Sequence, residues 1–254
     1  MPCVERGRIV PDMGYRLIEP NWTVFPASAN NGETIRNARG NVARAFGGTM
    51  RASMLIAALA LLGAPALAQE ADTQLQAAGQ PTATIETAQG NIVIALDREH
   101  APVSVDNFMA YAREGHFDGT VFYRVAPGFV IQAGSYDAQG NMKPVHDPIP
   151  LEANNGLKNV KGAVAMARGD EPASATAEFF IDLSDLPALD HSPDDPGNTT
   201  GYAVFGHVVS GMDVVDKIAS APLGGTGPFP DAAPLEPVTI QNVVVNGASG
   251  APAN

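Results

Sequence analysis

Cysteine and tryptophan are almost missing from this chain, which has one of each, Cys3 and Trp22, in 254 residues. A lone Cys excludes an internal disulfide and any zinc site built on cysteines. Cations are also scarce: 15 Lys and Arg stand against 27 Asp and Glu, a net charge of −12. So acidic a chain has no electrostatic reason to bind nucleic acid or an anionic membrane. Long apolar runs are lacking too. The run Met54–Leu62 has nine residues, whereas about twenty are needed for a helix to cross a bilayer. HExxH, GxSxG, CxxC and a Walker loop are all absent. His100, His116, His146, His191 and His207 have no metal-ligand spacing, so no metal and no other cofactor is expected. Gly224-Gly225-Thr226-Gly227 lacks a following Lys and runs into Pro228 and Pro230, so it reads as a turn rather than a phosphate loop.

What the chain does have is apolar content of 45%, enough for one sizeable domain or two small ones. Its 26 Gly and 21 Pro show no Gly-X-Y period and point to a turn-rich, all-β protein.

These totals average over two unlike parts. Arg44 and Arg51 precede the short apolar run, and Ala66-Leu67-Ala68 follows it before Gln69. A basic start, a short apolar stretch and a small-x-small site make a secretory signal, expected to be cut near Ala68-Gln69. No Cys stands at the cut to carry a lipid anchor. Signals begin at the N-terminus, so translation is expected to start at Met50, with 1–49 a doubtful extension; an unusually long basic region is the alternative. On this reading 50–68 is the signal, 69–81 a polar tether, 82–247 the folded domain and 248–254 a tail. The mature chain from Gln69 would carry 8 basic and 23 acidic residues, a net charge of −15. Its expected location is the periplasm, with no membrane attachment after cleavage.

In the domain, TATIETA alternates polarity with Ala83, Ile85 and Thr87 on one face. Gln89-Gly90 turns the chain into NIVIALD, giving a hairpin. Residues 102–114 change period: Val105, Phe108, Met109 and Ala112 share one helical face. Ser104 is the expected N-cap, Asp106 suits the first turn and Gly115 ends the helix. Strands are predicted at 120–125, 129–134, 162–167, 178–183, 202–209 and 238–246, and a second helix at 211–219. Residues 135–157, 184–200 and 221–237 read as loops. Eight short strands and two helices predict a closed antiparallel barrel capped by helices. Periodicity alone does not separate this from a sandwich.

The informative stretch is FYRVAPGFVIQAG, residues 122–134. Arg124 and Gln132 are polar residues inside apolar strands. A hairpin around Pro127-Gly128 would put them on one face with Val130. From the pattern alone, Arg124 is as well read as a side chain extending its head to solvent at a strand edge.

That stretch resembles the F-x-R-V-x-x-x-F-x-x-Q core of cyclophilin-type peptidyl-prolyl cis-trans isomerases of the exported bacterial kind. GAVAMAR (162–168) with SATAEFFI (174–181), LDH (189–191), GYAVFGHVVSGMDVVDKI (201–218) and PLEPVTIQNVVV (234–245) match further blocks in order. The resemblance spans about residues 82–246 and implies an eight-stranded barrel with two helices. It gives Arg124 the role of a fixed cation at the proline nitrogen, and Gln132 that of a donor orienting the substrate carbonyl. It places Phe129, Val130, Phe180 and Leu189 around the proline ring, the backbone of Ala167 and Arg168 against the residue before proline, and Tyr202 in the pocket wall. Without it, each apolar residue would read as core. The implied partners are proline-containing polypeptides folding after export. No oligomer surface stands out, so a monomer is expected. A proline-peptide binding module or chaperone with incidental catalysis is the second reading. A barrel holding a small apolar ligand is the third, disfavoured by strand residues large enough to fill a small barrel.

Several positions depart from the family pattern. Val130 replaces the usual Met, Glu178 the usual Gln, and Tyr202 a His of many relatives. Ala188 stands where the family carries a Trp or Phe that helps bind cyclosporin, so weak inhibition by it is implied. The 184–200 loop is also longer.

Overall fold

The computed structural model describes residues 80–247. The extension 1–49, the signal 50–68, nearly all of the tether and the tail lie outside the described residues. In chain order the elements are β1 (Thr82–Thr87), β2 (Gly90–Leu96), α1 (Pro102–Arg113), β3 (Arg124–Ala126), β4 (Val130–Ala133), β5 (Ala163–Met166), β6 (Phe179–Asp182), β7 (Val204–Ser210), α2 (Met212–Ala219) and β8 (Ile240–Asn246). All eight strands join one antiparallel sheet in the order β3-β4-β6-β5-β7-β2-β1-β8.

The sheet curls but does not close, contrary to the closed barrel expected from the pattern. Its edges, β3 and β8, are not paired as strands. Only scattered backbone bonds span the seam: Gly119 N–H to Ile240 O at 2.8 Å, Phe122 N–H to Val238 O at 3.0 Å and Ile240 N–H to Thr120 O at 2.8 Å. The predicted strand 120–125 shrinks accordingly to β3, preceded by isolated bridges at Thr120 and Val121. Part of the reason lies in the chain before β8. Pro234 and Pro237 have no N–H to give a ladder, so pairing there cannot be continuous.

Each strand has two faces, and the sheet uses them differently. Val125, Ile131, Val164 and Ile181 point into the main core, with Ile85, Ile94 and Phe205. Their neighbours along the chain, Val130, Ala163, Ala165, Phe180 and Val204, point the other way into a second, smaller apolar cluster. The hydrophobic runs of β4, β5 and β6 therefore serve two clusters, which explains their lack of polar alternation.

The first helix seals the main core with Val105, Phe108, Met109 and Ala112, all buried as the spacing predicts. The Phe108 ring lies 5.0 Å from Phe117, 5.3 Å from Phe205 and 5.4 Å from Phe179. The expected cap, Ser104, is not the N-cap. The helix starts earlier because Pro102, with its fixed φ and no N–H, suits the first helical position. Glu152, 48 residues away from Ser104, does the capping instead. Its carboxylate accepts from Val103 N–H at 3.0 Å and from Ser104 N–H and Oγ–H at 2.7 Å each. Asp106, expected to favour the first turn, lies beyond it and pairs with Arg98 at 2.7 Å.

The second helix follows Gly211, whose φ of 87° lies in the left-handed region. A Cβ there would sit 2.2 Å from Asn91 O, so only glycine lets β7 turn into α2 beside β2. The predicted loops are loops, apart from a 3-10 turn at Pro187–Leu189.

Candidate active site

Four residues line up across the sheet. Arg124 on β3 pairs in register with Gln132 on β4, Gln132 with Phe180 on β6, and Phe180 with Ala165 on β5. Directly opposed residues of antiparallel strands share a face. The row therefore lies on the second-cluster side, away from the main core. Val130, two residues before Gln132, joins it. The turn at Pro127-Gly128 brings Phe129 beside this face, where it packs half-buried against the same cluster with Leu189 and Tyr202. Arg124 thus stands on the same face as this cluster, on the edge strand β3.

Arg124 is half-buried, and its Nη1 donates to Gln132 Oε1 at 3.2 Å. No carboxylate forms an ion pair with Arg124 among the described residues. Its charge is thus oriented by a neutral acceptor rather than neutralised. The Gln132 amide is buried, and its Nε2 donates to the Tyr123 hydroxyl. Tyr123 is itself buried against Tyr136 and Phe229, with ring centroids 4.8 and 5.9 Å away.

The other wall is built by the loop after β5. Tyr202 meets Phe180 edge to face at 5.4 Å, and the Arg168 guanidinium lies 5.1 Å from the Tyr202 ring centre. Arg168 also donates to the carbonyls of Gly201 at 3.0 Å, Gly169 at 2.9 Å and Thr199 at 3.2 Å. Its side chain therefore ties the 184–200 loop to Tyr202. Leu189 O accepts from Tyr202 N–H at 3.0 Å, fixing the other end of that wall. Ala167 N–H donates to Glu178 O at 2.9 Å, which ties the loop after β5 to the start of β6.

All nine residues singled out in the sequence thus border one surface: Arg124 and Gln132 at one end, Phe129, Val130 and Phe180 in the middle, and Ala167, Arg168, Leu189 and Tyr202 at the other. Two acidic groups lie nearby: Glu178, which replaces the usual Gln, and Asp182, which the sequence pattern does not single out. Asp182 pairs in register with Val130 and is fully buried, and neither carboxylate oxygen finds a partner among the described residues. Burial, and then the negative charge of Asp190, push its pKa up to about 8. A charged residue inside the apolar run EFFIDL was the available signal, the same one that drew attention to Arg124. Glu178 is pushed up by burial. No group of three or more His, Cys, Asp or Glu is placed to hold a metal ion among the described residues.

A cation at the edge of an apolar patch has the chemistry of a site suited to an apolar residue of a peptide chain. The comparisons with known proteins give the chain its family. The family described as cyclophilin type peptidyl-prolyl cis-trans isomerase/CLD matches residues 82–245. Over 161 residues the chain is 44% identical to peptidyl-prolyl cis-trans isomerase A of Dickeya dadantii, covering 63% of this chain and 82% of that protein. Over 163 residues it is 45% identical to peptidyl-prolyl cis-trans isomerase B of Escherichia coli, covering 64% and 98%. A crystal structure of a Cryptosporidium parvum cyclophilin type peptidyl-prolyl cis-trans isomerase, determined in the presence of the dipeptide Ala-Pro, shares the fold. Its TM-score is 0.54 at 22% identity, covering 66% of this chain and 99% of that one. The chain belongs to the cyclophilin-type family and is a peptidyl-prolyl cis-trans isomerase of that type.

Proposed function

We propose that this isomerase acts on X-Pro bonds of exported polypeptides as they fold, with Arg124 as its electrostatic catalyst. The observation that carries the reading is the Arg124–Gln132 pair at the edge of the Phe129, Val130 and Phe180 patch. Rotation about an amide is opposed by about 18–20 kcal/mol, because resonance gives the C–N bond double-bond character. No bond is made or broken, so the catalyst has only to bind the twisted amide better than either planar isomer. Twisting localises a lone pair on the proline nitrogen. A guanidinium aimed at that nitrogen donates to it only in the twisted form, and it is charged and oriented before the substrate arrives. The apolar patch takes the ring, Gln132 holds Arg124 and the substrate carbonyl, and the backbone at 167–168 aligns the residue before proline. The dipeptide recorded with the Cryptosporidium relative supports proline-containing peptides as the substrate class.

Export is supported by the signal-like run at 50–68 and by a domain with no cysteine to oxidise. The test of catalysis is the isomerisation rate of a cis-Ala-Pro peptide with wild type and Arg124→Ala. A loss of roughly 10²-fold or more is expected, the scale of removing one preorganised donor; an unchanged rate defeats the role of Arg124. For export, the protein is purified from a periplasmic fraction. Mature protein starting at Gln69 lacks Trp22 and shows no tryptophan emission, whereas a product retaining Trp22 overturns the processing scheme.

A further inference from the structure

We propose that the Arg168 side chain is a positioning residue of the isomerase: it transmits the order of the 190–201 loop to Tyr202, and so sets how tightly the site holds its substrate. The inference rests on the reading of this face as the substrate site.

The Arg168 guanidinium faces the protein's own backbone. Its Nε donates to Gly201 O at 3.0 Å, Nη1 to Gly169 O at 2.9 Å and to Asp170 O at 3.4 Å, and Nη2 to Thr199 O at 3.2 Å. No carboxylate forms an ion pair with it among the described residues. With every nitrogen of the fork engaged by a carbonyl, reading an acidic substrate residue is not its use. The four carbonyls belong to two segments. Gly169 and Asp170 follow β5, and Thr199 and Gly201 close the long loop before β7. Arg168 is the clasp between them.

The same guanidinium lies 5.1 Å from the centre of the Tyr202 ring, within the reach of a cation–π contact. Tyr202 in turn meets Phe180 edge to face, with ring centroids 5.4 Å apart and planes at 80°. Phe180 is held by the sheet as the register partner of Gln132. Tyr202 is therefore oriented by a cation that the loop holds and by a ring that the sheet holds. Without the guanidinium it keeps Phe180 alone of these two, and this wall of the apolar patch is less well defined.

The loop can anchor Arg168 because Asp195 folds it on itself. Asp195 Oδ2 accepts from Thr199 N–H at 2.6 Å, Thr200 N–H at 2.7 Å and Thr199 Oγ1–H at 3.1 Å, and Oδ1 accepts from Gly197 N–H at 3.0 Å. Asn198 Nδ2 donates to Leu151 O at 2.9 Å, which ties the loop to the 135–157 segment. These bonds fix Thr199, whose carbonyl Arg168 takes. Where the loop returns, Gly201 adopts φ 80°, and a Cβ there would lie 2.5 Å from His191 N. Glycine lets the two ends of the loop meet and aims the Gly201 carbonyl at Arg168. Order passes from Asp195 to Thr199, to Arg168 and to Tyr202. Arg124 and Gln132 take no part in it. A wall that meets planar and twisted substrate alike changes binding rather than the rotation step.

The test is steady-state kinetics of the full chain on a cis-Ala-Pro peptide, with wild type, R168M, D195A, D195N, Y202A and the R168M/Y202A double variant. Thermal midpoints are recorded for each. R168M is expected to raise KM by about three- to tenfold, the scale of a cation–π contact and an aromatic pair, with kcat within about twofold of wild type. D195A is expected to raise KM by a smaller factor. D195N, whose one side-chain oxygen still accepts from Thr199 and Thr200, recovers most of that rise. In the Y202A background R168M is expected to add nothing, since both act through one ring. A folded R168M with wild-type KM, a loss carried by kcat instead, or a rise in KM that persists in the Y202A background each overturn the proposal. So does a D195A that lowers the thermal midpoint and leaves KM unchanged, which makes the loop's role structural alone. Should R168M not fold, D195A and D195N decide. An inactive wild type, beside an active Escherichia coli relative in the same assay, overturns instead the isomerase reading on which the proposal stands.

Discussion

Arg124 and Gln132 face one another across β3 and β4, and the guanidinium donates to the amide oxygen at 3.2 Å. On the proposed mechanism both the charge and the fork of the guanidinium are needed. Beyond the loss expected for Arg124→Ala, Arg124→Lys is expected to lose at least about tenfold in kcat/KM. A lysine is a single flexible point charge and cannot hold Gln132 and the proline nitrogen in fixed directions at once. A peptide isomerisation assay that finds Arg124→Lys within twofold of wild type removes the case for a directed fork.

Asp182 makes the fold sensitive to pH in an unusual direction. A carboxyl that burial raises to about 8 stays protonated in the folded protein while it ionises in the unfolded one. The folded state then binds more protons between about pH 4 and pH 8. Stability from this group is full below pH 4 and falls as pH rises through that window. Asp182→Asn keeps the neutral shape and removes the titration. It is expected to stabilise the protein at pH 7.5 by about 1–3 kcal/mol and to flatten the slope. Urea unfolding at several pH values measures both. A variant with an unchanged slope shows that Asp182 is charged in the fold.

Glu152 caps α1 from a distant loop, so its removal costs helix and loop together. Glu152→Ala frees three donors on Val103 and Ser104. A loss of about 1–2 kcal/mol is expected, as for other helix caps, lowering the thermal midpoint by about 2–8 °C. Ser104→Ala removes one of those contacts and is expected to cost less. Calorimetry ranks the two, and equal or reversed losses return the capping role to Ser104.

Ala188 lies exposed in the 3-10 turn Pro187–Leu189, next to Leu189 of the apolar patch. A methyl group there gives a macrocycle no broad surface to rest on. Cyclosporin is expected to inhibit weakly, and Ala188→Trp to strengthen inhibition by supplying an aromatic plate. Titration of the peptide assay with the inhibitor tests this, and a submicromolar constant for the wild type refutes it.

The element list was legible because strand and helix periods are local. Alternation over 82–87 and the Val105, Phe108, Met109, Ala112 face needed no partner to be read. Arg124 stood out for the same reason, as a charge in an apolar run. The cap of α1 was not legible, since Glu152 is far away in the chain. Nor was sheet closure, because whether β3 meets β8 depends on residues some 120 positions apart and on prolines that break the ladder.

The family motifs in the sequence by themselves marked which residues would carry the chemistry, and the periodicity marked which segments would pair. Tertiary structure alone decided which face each strand turns to the core. In β4 and β6 both faces are apolar, so no periodicity could separate Ile131 and Ile181, in the main core, from Val130 and Phe180, at the site. Registry across β3, β4 and β6 made that choice, and with it put Arg124, Gln132 and Phe180 in one row.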